Sequence, residues 1–140
     1  MECRIGMGTP TVTVTKPDGT IVPGPRSPWP GYLALAETNE HVARVLDIYK
    51  RAEPLGWAEL FKVHEIIQES IEGSIPKMGW ASKADDDAFG PSVNRRDVSG
   101  EDARHAKQDN RPPPKKTMTI EQGRQYIRDV VAKWLAWLAT

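Results

Sequence analysis

The apolar residues near the C-terminus constrain this chain most. Ile120, Ile127, Val130, Val131, Trp134, Leu135 and Leu138 recur at helical spacing and must be covered on one broad face. Thr119 followed by Gln122 is a capping-box pattern that places the start of this helix. A face this wide needs an apolar partner. Trp57, Leu60, Phe61, Ile67 and Ile71, widened by Val63 and Ile66, provide one over residues 56–73, with Gly73 as the expected C-terminal stop. Val42, Val45, Leu46 and Tyr49 fall at i, i+3, i+4 and i+7 within a third helical stretch, 31–52. Thr38-Asn39 divides that stretch and Pro54 ends it. Long helices with short connections pack as antiparallel neighbours. The expected fold is mainly α: a small antiparallel bundle of three main helices and one short one.

The first thirty residues read differently. Val12 and Val14 alternate with threonines, and Pro17-Asp18-Gly19 is a turn signal, so 11–22 reads as a β-hairpin that must pack on the bundle. Prolines then stiffen 23–30, with Trp29 as an anchor onto the core. Two units follow: hairpin and proline-rich connector over 1–30, and a helical domain over 31–140 carrying a polar irregular insert at 74–116. Within the insert, Ser99 and Asp102 suggest a cap for a short helix over 100–108.

Charge and composition exclude several classes. Lys plus Arg and Asp plus Glu both number 19, so no overall basic field exists to hold nucleic acid, and any such binding requires a local patch. The single cysteine, Cys3, precludes an intrachain disulfide and argues against a zinc cluster. No apolar run approaches the roughly 20 residues of a membrane span, and the N-terminus lacks the apolar stretch of a secretion signal. Gly-rich phosphate loops and nucleophile motifs are absent from the sequence. These features predict a cytoplasmic protein with no cofactor and no bound metal.

The chemistry concentrates in 91–116, where an acid, a cation and a titratable ring fall together at Asp102-Ala103-Arg104-His105. A histidine exchanges protons near neutral pH, and a neighbouring arginine steadies a phosphate or developing negative charge. Arg104 and His105 are therefore the candidate catalytic pair. Arg95, Arg96, Lys107, Arg111 and Lys115, joined by Arg124 and Arg128 on the last helix, are the candidate cations of a binding face, with Asp102 as its acid.

The paired helices, polar loop and long final helix resemble the layout of the HEPN ribonuclease superfamily, whose small bundles carry an arginine, a short spacer and a histidine close to the final helix. That resemblance spans 32–140 at most and implies metal-independent RNA cleavage by Arg104 and His105. The spacing departs from the family pattern: Arg96 lies further upstream of His105, and Arg104 adjoins it directly.

Three other features read as structural. His64 lies on an apolar stripe, and the i, i+4 pair on its helix is Glu65–Glu69, so it reads as a histidine at the edge of the core. Asp85-Asp86-Asp87 lacks the alternation of a Ca²⁺ loop and reads as a solvated acidic turn. Trp137 lies off the main apolar face and is available for a homodimer contact. The leading expectation is a small interaction module that meets a protein or RNA partner through 91–116. The alternatives are the ribonuclease, or toxin-type enzyme, and a structural accessory subunit that associates through its Trp-rich C-terminal helix.

Overall fold

The structure, a computed structural model, describes residues 13–24, 29–103, 112 and 115–140. Strands β1 (Thr13–Thr15) and β2 (Ile21–Pro23) pair antiparallel, with Val14 opposite Val22. The turn between them closes through Gly19, at φ +86°, and through Asp18, whose carboxylate accepts the Thr20 amide. Val14 and Ile21 are exposed, and no described hairpin residue belongs to the buried core.

Helices follow: α1 (Trp29–Thr38), α2 (Glu40–Ala52), α3 (Trp57–Ile71), α4 (Lys83–Asn94), the short α5 (Arg96–Ser99) and α6 (Ile120–Leu138). The break between α1 and α2 falls at Asn39, whose side chain accepts the Val42 amide and so caps α2. The expected capping box of α6 is complete: Thr119 accepts from the Gln122 amide, and the Gln122 side chain accepts from the Thr119 amide. The chain is mainly helical, as its periodicity predicts.

Helices α1 and α2, α2 and α3, and α3 and α6 pack pairwise, and α4 lies against α3. Trp134, Ile67, Val130, Leu60 and Phe89 are buried at the centre. Phe61 and Val131 are half-buried at its edge. Gly123 sets the closest approach within this core. A Cβ there would stand 2.5 Å from the Trp57 ring, so only glycine lets α6 seat against the start of α3. Arg124, the next residue, donates to the Leu55 carbonyl at 2.8 Å and holds the same end of α6 to the turn before α3.

Two expectations are corrected. The insert 74–116 is not irregular at its start, because 83–94 is helical. Ser82 accepts the Asp85 amide, and Asp85 and Asp86 occupy the electropositive first turn. Gly90 and Pro91 are tolerated because Ala88, Phe89, Ser92 and Val93 are buried in the packed helix. The left-handed residue closing α3 is Glu72, at φ +51°, and not Gly73. The Gly73 amide reaches back to the Gln68 carbonyl and the Glu72 amide to that of Glu69, which is the Schellman arrangement.

Two substitutions test this description. Glu72→Gly removes the left-handed strain and breaks no ion pair with a described residue, so it should stabilise the fold by about 0.5–1 kcal/mol in urea unfolding. Gly123→Ala sets a gain of about 1 kcal/mol in helix propensity against an overpacking cost of about 1–3 kcal/mol. A lower midpoint is expected; a raised one would mean that Trp57 does not abut Gly123.

Candidate functional site

Asp86 joins three helices at the edge of the core. Its Oδ1 accepts from the Nε2 of His64 on α3 at 2.9 Å and from the hydroxyl of Tyr126 on α6 at 2.5 Å. One carboxylate oxygen therefore links α3, α4 and α6. His64 is only 7% exposed, and its ring lies near-parallel to Phe89 at 4.9 Å between centroids and to Phe61 at 6.4 Å. Burial opposes the Asp86 charge, but the hydrogen bonds from His64 and Tyr126 outweigh it and hold the carboxyl below its usual range. Burial, reinforced by the bond to Asp86, pushes the Tyr126 phenol far upward, so it remains a donor.

A carboxylate that orients an imidazole is half of a general-base apparatus. Here Nε2 is committed to Asp86, and no serine, threonine or cysteine hydrogen bonds to His64 among the described residues. Among those residues there is also no grouping able to hold a metal ion. The network is a polar bolt at the edge of the core. His64 is core-edge as expected, whereas the expected solvated turn at Asp85–Asp87 is corrected: Asp86 faces inward from a helix. Its signal lay in Ser82-Lys83-Ala84-Asp85, a helix-start pattern just before Ala88-Phe89. Tyr126 left no comparable trace.

The polar segment is pinned to α4. Ser92 is buried; its hydroxyl donates to the Ala88 carbonyl at 2.8 Å and accepts the Met118 amide at 2.7 Å. The Ser99 hydroxyl donates to the Ser92 carbonyl. Arg95, 5% exposed, donates to the Pro112 carbonyl at 3.3 Å. Lys116 meets Asp85 at 2.6 Å on the surface. The chain therefore leaves α4 and returns to it through contacts at both ends of the segment. Ser99 is the last residue of α5, and its hydroxyl serves α4 and does not cap the 3-10 turn (Gly100–Asp102) that follows, with Gly100 at φ +61°. Ala103 is extended, so the expected helix is not continuous from 100, and 104–108 of it lie outside the described residues.

The candidate pair Arg104 and His105 lies outside the described residues, as do Lys107 and Arg111. Arg96 opens α5 and Asp102 closes the 3-10 turn. Arg95, Lys115, Arg124 and Arg128, the cations of the expected face whose side chains are described, have different surroundings. Arg95 is buried under Pro112, Lys115 is exposed, and Arg124 serves Leu55. Arg128 lines a groove against α1 and α2 and donates to Gln125 at 3.2 Å. Helical geometry places Arg124 and Arg128 one turn apart, but each is held by a different neighbour.

No helix among the described residues is long and apolar enough to cross a membrane. No protein-family model, curated protein sequence or solved structure matches the chain.

The bolt predicts an acid-side stability change. The folded pKa of Asp86 lies below its unfolded value, so its stabilisation is present above about pH 4 and fades as pH falls through the folded pKa. Asp86→Asn and Tyr126→Phe should each cost about 1–3 kcal/mol at neutral pH. The gap between wild type and Asp86→Asn should narrow below about pH 4, read from thermal unfolding across pH.

Proposed function

We propose that this protein is a small helical interaction module that meets a protein or RNA partner through its polar 91–116 segment. The observation that carries this reading is the clamp at the base of that segment. Ser99 and Met118 tie it to buried Ser92 of α4, and Pro112 is tied to buried Arg95 just beyond α4, so the base of the segment stands on a packed scaffold. Binding loops held by a rigid framework lose less conformational freedom on association. The sequence places Arg104, His105, Lys107 and Arg111 between those anchors, and cations of this kind suit phosphate or carboxylate groups. A cytoplasmic location belongs to the same proposal and rests on the lone Cys3.

A second reading has its own observation. Trp137 is 43% exposed near the end of α6 and meets Trp80 edge-on at 5.8 Å between centroids. A partly exposed aromatic pair is a suitable anchor for an accessory subunit or a homodimer. The ribonuclease reading rests on Arg104 and His105 alone and becomes an outcome of the test.

The test is the double change Arg104→Ala with His105→Ala. It should leave the melting temperature unchanged and weaken partner or RNA binding about tenfold or more. Neither parent nor variant should cleave RNA. Cleavage by the parent that the variant loses would establish the enzyme instead. Unaltered binding in the variant would remove this segment from the interface.

A further inference from the structure

An open groove of about 600 Å³ lies between α1, α2 and α6. Its walls include Leu33 from α1, Leu46 from α2, and Val131 and Leu135 from α6. Leu33 is 57% exposed and leaves one apolar wall of the groove open to solvent. Lys50, Glu53 and Arg128 also line the groove, and Glu53 and Arg128 both act electrostatically on Tyr49. The groove therefore combines apolar walls with a hydroxyl at Tyr49, on which Glu53 and Arg128 act, and a further cation, Lys50, on its lining.

Tyr49 supplies the group that points to a ligand. It is half-buried, yet its hydroxyl hydrogen bonds to no described residue. Burial, with Glu53 adding to it and Arg128 opposing, pushes the phenol up to about 12, so at neutral pH it is a protonated donor. Among the described residues Lys50 forms no ion pair, and the Arg128 guanidinium hydrogen bonds to Gln125 and forms no ion pair. An apolar trough whose lining also carries an uncommitted hydroxyl donor and two cations against one carboxylate, Glu53, is complementary to an apolar body with an anionic head.

We propose that this groove binds a small amphiphilic carboxylate, its aliphatic or aryl body along Leu33, Leu46, Val131 and Leu135 and its head towards Tyr49, Lys50 and Arg128. The size of the groove suits a small molecule. Volumes of roughly 300–1,000 Å³ are those of small-molecule sites. None of the groove residues belongs to the polar segment, so this site stands or falls separately from that reading.

Decanoate is a suitable probe, with decanol and decyltrimethylammonium as neutral and cationic counterparts of similar length. Titration of the full chain, followed by amide chemical shifts and calorimetry, should show saturable decanoate binding with shifts confined to α1, α2 and α6. Lys50→Ala with Arg128→Ala should weaken decanoate about tenfold while leaving decanol unaffected, because the head-group contacts are charge-assisted. Ala132→Trp, at an exposed position on the groove wall, should fill the trough and abolish binding without loss of fold. Four results would overturn the proposal: no saturation at millimolar decanoate, equal affinity for all three probes, shifts mapped elsewhere, or full binding by Ala132→Trp. A concentration-dependent dimer in sedimentation that Ala132→Trp disrupts, with no decanoate binding, would assign the groove to a second copy and likewise overturn it.

Discussion

The shared oxygen of Asp86 is the interaction on which the seating of α4 against α3 and α6 depends. An ionised carboxylate at the edge of a packed core is costly unless donors surround it, and His64 and Tyr126 supply them from two different helices. Because both donors converge on one atom, the position of α4 is set relative to α3 and α6 by hydrogen-bond directions as well as by shape. Phe89, three residues along on the same helix, then stacks on the His64 ring and packs beside Tyr126. Polar and aromatic contacts thus specify a single seating for a helix whose own sequence, with Gly90 and Pro91 inside it, is a poor helix former.

The polar segment inherits that seating. Ser92 sits one turn beyond Ala88 and is both donor and acceptor, so a single buried hydroxyl closes the α4 backbone and receives the chain returning ahead of α6. Arg95 buries a cation whose guanidinium reaches the Pro112 carbonyl. By contrast, the ion pairs Lys116–Asp85, Lys83–Asp87 and Arg51–Asp47 lie on the surface, where water screens them and each contributes little. Burial separates the contacts that hold the segment from those that decorate it.

The two candidate surfaces differ in chemistry. One is the proposed polar segment, clamped at its base to α4 and Arg95. The other is an apolar trough framed by α1, α2 and α6, suited to a small amphiphile. They share no lining residue, and Arg128, which its sequence position groups with the loop cations, belongs to the second.

The sequence by itself determined the helices with long stripes. The spacing of Val42, Val45 and Leu46, the Trp57–Ile71 stripe, the Thr119–Gln122 box and the turn at Asp18-Gly19 are local signals, and each element formed as its signal required. Asn39 likewise marked the break between α1 and α2. The site was less legible. Helix α4 was hidden because Gly90 and Pro91 are local breakers, whereas the burial of Phe89 and Val93 that overrides them is a long-range effect. The inward turn of Asp86, the reach of Tyr126 across forty positions and the glycine-sized gap at Gly123 depend on partners distant in the chain. The different partners of Arg95, Arg124 and Arg128 follow the same rule. A sequence pattern gives the bearing of a side chain on its own helix, but which carbonyl or groove meets it is set only when the helices pack.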